Sequence, residues 1–153
     1  MGYLVWTKDL DTGIGVIDGQ HKRIVEYINK LHDARLTRDN KSIGDIIEDT
    51  IDYTMSHFSF EEALLEDAGY QFVRPHKKVH ALFIRRVAEF QARYKAGEDV
   101  SEELHGLLAR WLFNHIRNDD AAYVLAVKST INSLTGDKGE GGWVARSFKK
   151  FFS

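Results

Sequence analysis

The stretch "PHKKVHALFIRRVAEFQARYKAG", residues 75–97, decides how the rest of the chain reads. Val79, Phe83, Val87, Phe90 and Tyr94 recur three or four apart, the spacing of one face of an α-helix. Pro75 is acceptable as the first helical residue, where an N–H has no intrahelical partner, and Gly97 supplies a stop. His76 and His80 stand one turn apart on the same stripe, so the periodicity turns both imidazoles inward. A buried polar group without a partner costs about 1–3 kcal/mol. The stretch therefore predicts a helix that needs polar company from its neighbours.

Three other segments carry the same pattern. One runs from Asp18, a plausible N-cap, to Leu36, with Ile24, Ile28 and Leu31 on its stripe. A second spans Ser42 to Ala68, ends before Gly69, and carries Ile43, Ile47, Ile51, Thr54, Phe58, Leu64 and Leu65. A third is opened by Asp99 or Ser101 and continues through Leu104, Leu108, Leu112, Ile116, Tyr123, Val127, Ile131 and Leu134. No strand pattern competes and no internal repeat is present. Helices of about 20 residues span roughly 30 Å, and short connections make sequential neighbours antiparallel. The expected fold is all-α: an antiparallel up-down-up-down four-helix bundle over residues 1–135. Residues 1–17 read as an irregular N-terminal arm whose Leu4, Val5 and Trp6 pack on the bundle.

Residues 136–153 differ in composition. "GDKGEGG" at 136–142 reads as a flexible linker. "WVARSFKKFFS" after it is an aromatic and basic C-terminal tail. Such a segment can dock on a partner or an anionic surface; equally, it can fold back on the bundle or stay disordered.

Composition narrows the function classes. At 153 residues the chain suits one domain with a sizeable core. With 21 basic against 23 acidic residues it lacks an electrostatic footprint for nucleic acid. The absence of cysteine excludes disulfides, thiolate metal sites and cysteine nucleophiles. No apolar run reaches the roughly 18 residues of a membrane span. The start "MGYLVWTKDLDTG" does not resemble a signal peptide, so the expected location is cytoplasmic.

Four of the inward faces carry ligand chemistry. His57 and Glu61, four apart, continue the stripe of Ile47, Ile51 and Thr54, and His115 follows Trp111 by one turn. His21 precedes Ile24 by three. Antiparallel helices can bring His57/Glu61, His76/His80 and His115 to one level. Asp119 or Asp120 supplies a further carboxylate; an ideal helix puts Asp119 about 40° from His115 and Asp120 about 140°, which favours Asp119. His32 and His105 read as boundary or surface residues. Imidazole nitrogen with carboxylate oxygen and no sulfur suits iron, zinc, copper or manganese. The number of donors exceeds one tetrahedral zinc and fits two bridged ions, most plausibly iron.

His21, then His57 with Glu61, His76 with His80, and His115 with Asp120, in "GVIDGQH", "HFSFEE", "HKKVH" and "WLFNHIRNDDAAY", resembles the hemerythrins, the bacterial ones above all. The resemblance covers residues 6 to about 134 and selects Asp120 over Asp119, which becomes a bystander. It implies two non-haem iron ions bridged by Glu61 and Asp120. His76, His80 and His115 would complete one iron, and His21 and His57 would hold the other with an open position for O2. Ile24, Phe58, Trp111 and Ile116 match the family's O2 pocket, and they serve as core packing in any case. Tyr123, three after Asp120, is a candidate to support the carboxylates.

The implied function is reversible O2 binding for carriage, storage or delivery to oxygen-consuming enzymes, without catalysis. The imidazole-rich donor set favours a carrier over the carboxylate-rich sites of di-iron oxygenases, whose Glu-x-x-His spacing is absent from this core. The alternative is an O2 or redox sensor that signals through the tail. Expected partners are O2 and, through the tail, an oxygen-consuming enzyme or a membrane-associated partner.

Overall fold

A computed structural model describes residues 3–137 and 139–152. Lys138 of the linker and Ser153 of the tail lie outside the described residues. Four long rods form an antiparallel bundle: α1 (Gly15–Thr37), α2 (Asn40–Asp67), α3 (Val73–Lys95) and a composite fourth. The fourth rod is α4 (Ser101–His115), a five-residue π-helical turn (Ile116–Asp120) and α5 (Ala121–Thr135). A further helix, α6 (Trp143–Phe152), follows the linker.

The expected stripes form the interior. Ile24, Ile28 and Leu31 of α1 meet Ile43 and Ile47 of α2, Phe83 and Val87 of α3, and Leu104, Leu108 and Leu112 of α4. The α1–α2 corner is tight because Arg38 adopts a left-handed φ of 55° and closes the helix on the carbonyls of Ala34 and Arg35. Asp39 then caps α2 by accepting from the Ser42 amide. Gly69 and Gly97 end α2 and α3 at φ of 75° and 98°, a region that costs glycine little.

Several boundaries differ from the sequence reading. α1 begins at Gly15, three residues before the expected cap. Asp18 acts from inside the first turn, accepting from the Thr12 amide and hydroxyl and the Gly13 amide, and so ties the arm to the helix. α3 begins at Val73, which puts Pro75 third rather than first; an amide there is still free of intrahelical duty. In the arm, Leu10 is buried and Leu4 and Trp6 pack on the core, whereas Val5 points to solvent. The tail takes the fold-back alternative: α6 lies along α2, with Trp143 and Ser147 buried.

The interior is not one continuous apolar mass. A second cluster, Ile14, Ile17, Phe60, Leu64, Leu65, Tyr70, Tyr123, Ile131 and Trp143, is separate from the first. The buried polar side chains of the candidate site belong to neither.

Candidate metal centre

All seven expected ligand residues are buried, none more than 5% exposed. Six form two groups whose ligand atoms lie within 4.8 Å of one another: Glu61, His76, His80 and His115; and His21, His57 and Glu61. Glu61 belongs to both. Asp120 joins from the fourth rod, with its oxygens 3.1 Å from His21 Nε2, 3.2 Å from His76 Nε2 and 3.4 Å from His115 Nε2.

Asp120 reaches this layer because the backbone between it and His115 is π-helical. Ideal α geometry turns Asp120 away from His115; the i→i+5 turn returns it to the same face. The preference for Asp119 on ideal geometry is thus overturned by a local change of helix type. Asp119 has a different place and is no bystander: its carboxylate accepts from His115 Nδ1 at 2.7 Å.

Three imidazoles are oriented in this way. His57 Nδ1 donates to Gln20 Oε1 at 2.6 Å, and His80 Nδ1 donates to Glu62 Oε2 at 2.8 Å. Fixing a proton on Nδ1 aims the Nε2 lone pair inward, the arrangement that supports metal-binding histidines. Sequence reasoning passed over Gln20 and Glu62. Both neighbour an expected ligand, in "GQH" and "FEE", but adjacency gives no sign of which way a side chain turns. Tyr123, fully buried, donates its hydroxyl to Glu61 Oε2 at 3.2 Å, as a support for that carboxylate.

One contact tests the donor set. His80 Nε2 and His115 Nε2 are 3.0 Å apart, while both rings donate from Nδ1. Two neutral rings so oriented would aim lone pairs at each other, so a proton or a cation must lie between them. Despite the 3.1 Å approach of His21 Nε2 to Asp120, neither nitrogen of His21 and neither oxygen of Asp120 has the alignment of a hydrogen bond to any of the described residues. Buried donors that converge and stay unpaired are what a metal ion satisfies.

Protonation follows the same logic. Burial pushes the His57 imidazole down to about 3, against the pull of Glu61. Burial also acts against charge on His76, but Asp120 and Glu61 override it and lift the group to about 10. Burial would raise Glu61, yet the hydrogen bonds from His76 and His80 hold it well below the usual carboxylate range. In the metal-free protein, then, imidazolium charge balances the carboxylates in the role a cation can take.

The expected pocket residues surround this layer. Ile24, Phe58 and Ile116 are buried and Trp111 is half-buried. Phe58 stacks on His80 with ring centroids 3.7 Å apart and reaches His57 at 5.7 Å. Trp111 is stacked between Phe83 and His115, at 3.8 and 4.4 Å. By contrast His32 and His105 are neither boundary nor surface residues. They are 9% and 1% exposed and pack on each other across α1 and α4, at 5.3 Å. His32 falls four after Ile28, on the inward stripe, and His105 sits between Leu104 and Leu108.

Comparison with known proteins gives this geometry a family. Residues 12–126 match the family described as the Hemerythrin HHE cation binding domain. The chain belongs to the hemerythrin family. It is 63% identical over 152 residues to a bacteriohemerythrin of Pseudomonas aeruginosa (strain LESB58), covering 99% of each chain. It is 52% identical to the bacteriohemerythrin of Stenotrophomonas maltophilia (strain R551-3), again over 99% of each. A wild-type hemerythrin crystal structure superposes with a TM-score of 0.77 at 32% identity, covering 81% of this chain and 97% of that one. Hemerythrins bind O2 at a di-iron centre and are not enzymes. The histidine and glutamate cluster of this chain fits that centre. No helix among the described residues is long and apolar enough to cross a membrane.

Proposed function

We propose that this protein binds O2 reversibly at two iron ions held by His21, His57, Glu61, His76, His80, His115 and Asp120. The observation that carries the assignment is the pair of ligand groups sharing Glu61. His76, His80 and His115 would hold one iron, and His21 and His57 the other, where fewer donors would leave room for O2. Glu61 and Asp120 would be shared between the two ions, since each lies near donors of both groups. Ferrous ions held there would supply the electrons that reversible O2 binding requires.

The chain's own residues provide the rest. Gln20, Glu62 and Asp119 hold three imidazoles in the ligating tautomer. Ile24, Phe58, Trp111 and Ile116 line the layer with apolar surface, which excludes the water and protons that favour irreversible oxidation. No helix among the described residues is long and apolar enough to cross a membrane, and we read the protein as a cytoplasmic carrier or store that delivers O2 to oxygen-consuming enzymes. Arg146 and Lys150 on the exposed side of α6 offer a basic surface to such an enzyme or to a membrane-associated partner.

Metal analysis with optical spectra of the reduced protein tests the assignment. The expected result is a di-iron stoichiometry and a coloured adduct that appears with O2 and disappears on deoxygenation. A single zinc, or oxidation with no recoverable adduct, would overturn it.

A further inference from the structure

The matched family segment stops at residue 126, before α6 begins at Trp143. α6 nevertheless completes the second apolar cluster. Phe60 of α2 is 0% exposed, and three rings of α6 cover it: Trp143 at 5.1 Å, Phe148 at 5.3 Å and Phe152 at 6.0 Å between centroids. Phe152 also meets Tyr53 one helical stretch earlier, at 5.4 Å. The indole N–H of Trp143 donates to Asp67 Oδ2 at 2.7 Å and pins the start of α6 to the end of α2.

Phe60 lies three after His57 and one before Glu61. On an ideal helix it projects about 60° from the first and about 100° from the second. The helical turn that carries both residues is therefore held from two sides, by the candidate site inside and by α6 outside. The same cluster contains Tyr123, the donor to Glu61. With α6 removed, Phe60 would face water, and the protein between solvent and the Tyr123–Glu61 pair would thin.

We propose that α6 is a brace and seal for the metal centre, with Trp143 as its positioning residue. It fixes the His57–Glu61 turn of α2 and keeps water out of the ligand layer. Because its aromatic side is spent on Phe60, Tyr53 and Asp67, the segment acts on the bundle itself rather than as a free docking peptide. The inference rests on the metal reading above.

The test compares full-length wild type, Trp143→Ala, Trp143→Phe and Leu104→Ala. Leu104 is also buried but belongs to the other cluster, so it controls for general loss of stability. Two readouts are taken: the rate at which a chelator extracts iron, and amide hydrogen exchange along α2 in the metal-free protein. Trp143→Ala should release iron about tenfold faster than wild type and speed exchange around residues 57–64, while α3 stays protected. Leu104→Ala should do neither at matched overall stability, and Trp143→Phe should recover most of the wild-type rate. Should Trp143→Ala fail to fold, Asp67→Ala removes only the exposed acceptor and should show the same effects at smaller size. Equal iron release from Trp143→Ala and Leu104→Ala, with no local exchange difference, would overturn the inference and leave the metal reading standing. A wild type that holds no iron overturns both.

Discussion

His115 and Asp120 are separated by a single π-helical turn, and that turn sets their facing atoms, Nε2 and Oδ1, 3.4 Å apart. An α-helical register would carry Asp120 away from the layer and offer Asp119 instead. The extra residue in the turn lets the fourth rod supply two inward donors, and it leaves Asp119 free to orient His115 from outside.

Deleting Asn118, an exposed residue of that turn, should return the segment to α-helical register with Asp120 four after His115, about 40° from it and still in the layer. The expected outcome is retained iron by metal analysis, with helix content by circular dichroism retained. Asp120→Ala, which keeps the turn and removes the donor, should lose at least one iron per chain. Full metal loading of Asp120→Ala would show that Asp120 is dispensable.

Asp119→Ala and Gln20→Ala remove the acceptors for His115 Nδ1 and His57 Nδ1. Each ring then loses the contact that fixes its tautomer, and iron affinity should fall about 10–100-fold. Chelator competition titrations measure this directly. A change below about twofold in both variants would mean that the rings are held by packing alone.

Tyr123→Phe deletes one hydrogen bond to the buried Glu61 carboxylate and little volume. The metal-free protein should lose about 1 kcal/mol in urea unfolding. Glu61 keeps its His76 contact at 2.8 Å, which limits the cost. Unchanged unfolding midpoints would indicate that the phenol contributes packing only.

The stability of the metal-free protein should peak between two losses. His57 has a folded value of about 3 against 6.5 for the ordinary group, so the unfolded chain binds the extra proton. Its contribution is complete above 6.5 and is lost as pH falls towards 3. Glu61, held below its ordinary value, adds loss of the same sign at acid pH. His76 has the opposite sign: lifted to about 10, it contributes fully below 6.5 and loses that contribution as pH rises through 10. Urea midpoints across this range should trace a maximum near neutrality. Iron binding displaces the His76 proton, so affinity should climb with pH while binding releases protons. A flat urea profile would mean that these imidazoles are not buried in the metal-free state.

The amphipathic periodicity determined four helices, their short turns and the inward direction of His21, His57, Glu61, His76, His80 and His115. That much is local, because an α-helix fixes which residues share a face. The sequence also held the information that His32 and His105 point inward, since both lie among apolar stripe residues; the reading missed it by asking only for polar company. Three features came from tertiary structure alone. The π turn that selects Asp120 is a departure from the regular helix that periodicity assumes. The outer contacts of Gln20, Glu62 and Asp119 depend on which helix faces which, not on position along one helix. The docking of α6 depends on an apolar patch around Phe60 and Tyr53 that exists only once α2 has packed. Sequence spacing gives directions around a single helix axis; distances between helices are set by how the whole bundle closes.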